Sequence, residues 1–171
     1  MIRSGFQALQ LLIADYLPAL ADMDLPLVVV VVCKFGLQHV DINISLTAIG
    51  LLWTMADFMY QNKERITLSL KGQSLSPLSN DILQNLPAAV KPCLIPPFLK
   101  TLSNSTLPPM DRIWLLLFGC LGDMCIDDRG AVRKSASQTL FSTVTAHGTQ
   151  LDHTSWTVSY THLTLPTNSE V

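Results

Sequence analysis

Four histidines (His39, His147, His153, His162) and four cysteines (Cys33, Cys93, Cys120, Cys125) are the residues whose types could act as nucleophile, base or metal ligand. Nucleophilic catalysis needs a thiol or hydroxyl beside a base. Cys33 and His39 are the one pair close enough in sequence to suggest it. Their surroundings argue otherwise: cysteines in apolar, helix-like runs read as buried, reduced thiols, and the histidines fall near helix ends or in the tail. No CxxC, GxxxxGK[ST], GxGxxG or HExxH string is present, so zinc sites, nucleotide hydrolysis, dinucleotide binding and zinc proteolysis lack their signatures. The chain therefore reads as non-enzymatic, with no catalytic residue, cofactor or metal expected. Arg129, Arg133 and Lys134 form a compact basic group able to meet acidic partners or lipid headgroups. Three charges at a helix start are read as a solvated face, with Arg133 structural.

The 171 residues are 49% hydrophobic and only 14% charged, with a formal net charge of −2 and a mean hydropathy of +0.35. The balance excludes a nucleic-acid binder or a polybasic membrane clamp. So much Leu, Val and Ile with so little charge suggests helices that bury themselves against neighbours outside the chain. A membrane-spanning helix fails on length: Leu25 to Cys33 is too short, and Ile42 to Ala56 carries Asn43, Ser45, Thr47 and Thr54 between Asp41 and Asp57. The N-terminus imitates a signal peptide, but Gln7, Gln10 and Asp15 interrupt the apolar stretch and fit the wet face of an amphipathic helix.

Apolar spacing predicts a helix over Ile2 to Tyr16 (Ile2, Phe6, Leu9, Ile13, Tyr16), closed by Pro18. The next run starts at Asp24 as cap with Pro26 in its first turn, holds the valines 28–32, and stops at Gly36. The strongest helix, capped by Asp41 or Asn43 and ending near Gln61, carries two stripes: Ile42, Leu46, Ile49, Trp53, Ala56, Tyr60, and Ile44, Ala48, Leu51, Met55, Phe58. Residues 63–110 hold seven of the ten prolines and read as a long flexible insertion, with one helical turn near Asp81 to Leu86. Ser76-Pro77 reads as a turn, and the sequon Asn104-Ser105-Thr106 as unused in a cytosolic chain. Asp111 caps a helix through Ile126 that carries Trp114 as a core anchor, as Trp53 is in its own helix. After the turn Asp127-Asp128-Arg129-Gly130, a last helix from Ala131 to Ala146 buries Val132, Ala136, Leu140 and Thr143, and Gly148 ends it. The fold class expected is all-α, in HEAT or armadillo-like pairs, divided as 1–62, 63–110, 111–157 and 158–171.

Asp127, Val132, Arg133, Ala136 and Leu140 together resemble the turn and second helix of a HEAT repeat. In that reading Asp127 caps the helix and the small Ala136 lets helices approach. The resemblance implies that Arg133 bonds to the turn of an adjacent repeat. DINISLTAIGLLW (41–53) and AVRKSASQTLFSTVTAHGTQL (131–151) are similar to the Mon-two homologue family, relatives of the large Sec-seven-type Arf exchange factors that lack the Sec-seven domain. The resemblance covers 1–62 and 111–156. It implies an internal piece of a scaffold that is cytoplasmic and peripheral at the trans-Golgi network and endosomes. Endosome-to-Golgi retrieval would be its process, and Dopey-type proteins and Arf-like GTPases its partners. The repeat pattern by itself is shared with adaptors of nuclear transport and phosphatase assembly. The insertion does not resemble the family's linker. VSYTHLTLPT (158–167) looks like the translation of a transposase adapter, so 158–171 is expected to be a non-native tail.

Overall fold

Asp41 opens the longest helix: its backbone is extended, and its side-chain oxygen accepts from the amide of Asn43, satisfying one free donor of the first turn. Asn43, the other candidate cap, lies inside the helix. The computed structural model describes residues 1–72 and 106–164. Among these the helices are α1 (Ile2–Leu11), α2 (Leu25–Leu37), α3 (Ile42–Gln61), α4 (Lys63–Leu70), α5 (Pro109–Cys125), α6 (Gly130–His147) and α7 (His153–Thr164), with no strand. A π-helical turn continues α1 through Tyr16, and short 3-10 turns cover Leu17–Ala19, Asp22–Asp24 and Gly148–Gln150.

α2 and α3 form one antiparallel pair and α5 and α6 a second; α5 packs on α2, and α6 on α3. Four residues join each pair, 38–41 and 126–129. The two pairs share a register: Leu37 and Cys125 end the first helices, Ile42 and Gly130 begin the second, and both spacings are 88 residues (125 − 37 and 130 − 42). That shift carries Ile44, Ala48, Leu52, Met55 and Met59 onto Val132, Ala136, Leu140, Thr143 and His147, all buried except the half-buried Leu140. One inward face is thus written twice.

The valines 28–32 are helical, because Val28, Val29, Val30 and Val32 are buried between α3 and α5, and tertiary burial outweighs β propensity. Gly36 does not end α2, which continues to Leu37. A Cβ at 36 would lie 2.5 Å from Met124 Sδ, so its bare backbone is what lets α5 approach. α3 is 20 residues long and passes as a membrane span by length and composition, so length does not dispose of that reading. Within the fold, Ile44, Ser45, Ala48, Ile49, Leu52, Met55, Ala56 and Met59 face inward, as in a core helix. The stripe through Ile42, Trp53 and Tyr60 is covered only in part, and all three side chains keep substantial exposure.

Residues 63–70, expected to be flexible, form α4. Their spacing puts Ile66 and Leu70 on one face, both fully buried, and Arg65 pairs with the buried Asp22 at 3.2 Å. The first proline of the stretch comes only at 77, so nothing breaks the helix earlier. Asp111 is not a cap either: α5 starts at Pro109, whose missing amide costs nothing in a first turn. Asp111 instead accepts from the buried Ser155 hydroxyl of α7. α7 itself crosses the boundary placed at 158. Asp152 accepts from the Ser155 amide, Trp156 stacks on Phe118, and Val158 packs against the core. The helical turn at Asp81 to Leu86, Ser76-Pro77, Cys93, most of the sequon and 165–171 lie outside the described residues.

Candidate functional site

The turn 126–129 was the motif singled out, and it works differently from the HEAT-like expectation. Asp127 does not cap α6; its Oδ1 accepts from the Arg129 amide at 2.9 Å, folding the turn back on itself. The Arg129 guanidinium then closes on the same carboxylate, Nε to Oδ1 and Nη2 to Oδ2, both at 2.8 Å. Hydrogen bonding from Arg129 holds the Asp127 carboxyl well below the usual carboxylate range, and the Arg129 pKa is raised in return. The pair is shielded from water: side-chain exposure is 16% for Arg129 and 3% for Asp127.

Arg129, not Arg133, reaches the neighbouring helix pair. Its Nη1 donates to the Gln38 carbonyl at 2.6 Å and to Ser45 Oγ at 3.0 Å, and its Nη2 to the Gly36 carbonyl at 3.2 Å. Those are carbonyls at the end of α2, where a cation meets the negative pole of the helix. Arg133 donates to the Asp127 and Asp128 carbonyls of its own turn. The difference is one of reach: Arg133 sits one turn into α6, whereas Arg129 is fixed in the bend, aimed across the joint. The receiving turn is equally ordered. Gln38 Oε1 accepts from the Val40 and Asp41 amides, its Nε2 donates to Ser45 Oγ, and Asp41 pairs with Arg3 of α1 at 3.0 Å. A ladder of polar contacts therefore runs from α1 through both turns. Its sequence signal was Asp-x-Arg followed by a helix, which was read only as part of a basic group. That group does not exist as a patch, since Arg129 is turned inward.

Val132 and Ala136 of α6 are fully buried, and Leu140 is half-buried. The other candidate residues are not brought together for chemistry. Cys33 is buried in α2 while His39 stands on the surface, its Nδ1 3.8 Å from Asp128. The neighbouring Cys33 thiol, together with burial, pushes the Cys120 thiol up, away from a reactive thiolate. Among the described residues, ligand atoms of His39, Asp127 and Asp128 fall within 4.8 Å of one another. Both Asp127 oxygens are already engaged by Arg129.

His147 is the last residue of α6, near a helix end as its place in the sequence suggested, but it is buried, which no sequence signal indicated. It is 5% exposed, wedged among the rings of Tyr60, Trp114 and Trp53 at 4.7, 5.6 and 5.7 Å. Neither ring nitrogen, nor Trp114 Nε1, has a hydrogen-bond partner among the described residues. Trp114 is a core anchor as expected, whereas Trp53 stays partly exposed at the seam. Replacing His147 by phenylalanine is expected to leave stability unchanged or raise it by about 1 kcal/mol, because the shape is kept and two unpaired polar atoms go. Chemical denaturation checks this, and a comparable loss would mean that a ring nitrogen is paired in solution.

Helix pairs repeated in register, stacked first helix on first and second on second and locked turn to turn, make this a helical-repeat protein. A family model described as the C-terminal region of Mon2 protein matches residues 14–166, and the chain belongs to that family. It is 46% identical over 156 residues to a Mon2 homologue of Xenopus laevis and 43% over 157 to one of Homo sapiens, each alignment covering 91% of this chain and 8% of the relative. A Caenorhabditis elegans protein named monensin-resistant homolog 2 is 31% identical over 156 residues, 91% of this chain and 7% of that relative. The chain thus spans about 8% of the length of the curated relatives it matches first. No solved structure matches it. The family match takes in 63–110 and passes 157, both of which the sequence reading set outside the resemblance.

Proposed function

We propose that this chain is a non-enzymatic scaffold segment of a membrane-trafficking protein. It would act in endosome-to-Golgi retrieval from a cytoplasmic, peripheral position at the trans-Golgi network and endosomes. Membership of the Mon2 family carries this reading. The build of the segment supports it: stacked helix pairs offer long side surfaces to other proteins, and Arg3, Asp22, Asp41, Arg65, Asp111 and Arg129 join one helix or turn to another. Dopey-type proteins and Arf-like GTPases are the partners proposed, with membrane contact made through them. The test is affinity purification of the full-length polypeptide that carries this segment. Dopey-type proteins are expected to co-purify. Recovery of nuclear-transport cargo or phosphatase subunits in their place overturns the proposal in favour of a HEAT adaptor in another pathway.

A further inference from the structure

We infer that the exposed face of α3 around Trp53, Asp57 and Tyr60 is a docking site for an arginine side chain on a basic segment of a partner protein. The inference concerns the chemistry of one contact, and it stands apart from the trafficking reading and its named partners.

Steps of four and three residues put Trp53, Asp57 and Tyr60 on one face of α3. The two aromatic side chains remain 36% and 45% exposed. They are also held in place, because His147 of α6 packs against their rings at 5.7 and 4.7 Å. Aromatic area that is already ordered loses little freedom on binding. Asp57 is the one charged residue in α3, and it is half-buried, one turn from each ring. Among the described residues its partner is the Gln61 side-chain amide, which donates to Oδ2 at 2.6 Å, and no cation pairs with it. The cations next along the chain are engaged elsewhere: Lys63 donates to Gln150 at 2.7 Å, and Arg65 pairs with Asp22 and lies over the Phe58 ring.

The face has room for a ligand. Towards the start of α3, a Cβ at Gly50 would meet nothing within 4 Å. Past Tyr60 the surface opens into a cleft of about 590 Å³, lined by residues 60–65 and Gln150, where Glu64 adds a second carboxylate. Two ordered π faces beside a carboxylate that lacks a counter-ion match a guanidinium, which stacks on a ring through its plane and gives its N–H groups to the carboxylate. Trp, Tyr and Arg are also the side chains on which interface energy concentrates. Glu64 favours further positive charge on the same segment. A choline headgroup offers a cation too, but its phosphate would be repelled by Asp57 and Glu64.

Binding of a fluorescent Gly-Arg repeat peptide to the 171-residue chain, followed by anisotropy at low salt, tests this. Asp57→Asn preserves an acceptor for Gln61, so the fold is retained, which circular dichroism checks. It is expected to weaken binding about fivefold, and Trp53→Leu about threefold. Asp15→Asn removes an exposed carboxylate on another element and is expected to change binding less than about twofold. A peptide with citrulline, flat but uncharged, in place of each arginine should not bind. In the full-length polypeptide Asp57→Asn should weaken binding as well. No measurable binding of the arginine peptide overturns the inference, as do equal losses from Asp57→Asn and Asp15→Asn, which would mean diffuse attraction between charges. Binding of the citrulline peptide overturns it too, and so does a full-length polypeptide indifferent to Asp57→Asn, whose own chain would then cover the face. Phosphatidylcholine vesicles that bind the wild-type chain but neither Asp57→Asn nor Trp53→Leu would replace the partner protein by a lipid headgroup.

Discussion

Arg129→Ala is expected to lower the unfolding free energy by about 3–5 kcal/mol, because it leaves a shielded carboxylate without its counter-ion and two carbonyls and a hydroxyl without their donor. Domains of this kind have only about 5–15 kcal/mol in total, so the loss is a large share. Arg129→Lys is expected to recover less than half, since a single ammonium cannot hold Asp127 through two nitrogens and reach Gly36, Gln38 and Ser45 as well. Urea denaturation at pH 7 measures both. A loss below about 1 kcal/mol would place the joint among surface ion pairs of little consequence.

The same pair sets a pH response. Asp127 has a folded-state pKa held below its unfolded value, so its contribution is present above the unfolded value and is lost as pH falls towards the folded one. Stability should therefore decline below about pH 4. In Arg129→Ala the largest cause of the depression is gone while the amide of residue 129 remains, so the part of the slope that Asp127 contributes should become shallower. An unchanged acid limb would assign the decline to other carboxylates, such as Asp152, also held low by the Ser155 amide.

Trp114→Ala should be as damaging, by about 3–5 kcal/mol, through the cavity it opens. Trp114 is 1% exposed and lies against Phe118 at 5.9 Å and His147 at 5.6 Å, where α5 meets α6. In a chain of this size the loss corresponds to a fall in Tm of about 6–20 °C. Trp114→Phe should cost far less, under about 1.5 kcal/mol, since the indole N–H it removes has no partner among the described residues. If both variants lost the same amount, the indole nitrogen and not the ring volume would be the important part. If neither lost stability, the α5–α6 interface would be looser than its burial indicates.

These effects concentrate where two helix pairs meet, and that is also where reading along the chain was least informative. Helix existence was legible because it is local: a period near 3.6 in Ile44, Ala48, Leu51, Met55 and Phe58, and an aspartate before the first turn at Asp41. The boundaries that failed were set by composition. Proline density marked 63–110 as one block, yet Ile66 and Leu70 carry a helical period inside it. Gly36 looked like a stop because glycine ends many helices, and only Met124, 88 positions away in the chain, shows why a side chain is excluded there.

The sequence by itself determined that this protein is all-α, that the helices on either side of residues 127–130 form a pair joined by a short turn, and to which family it belongs, because periodicity and motif strings are carried by residues close together along the chain. Only the tertiary structure decided that Arg129 rather than Arg133 bridges the pairs, and that His147 at the end of α6 is buried among the rings of Tyr60, Trp114 and Trp53. Each of these depends on which distant backbone comes within about 3–6 Å of a side chain. That distance is set by how helices stack, and no spacing within one helix records it.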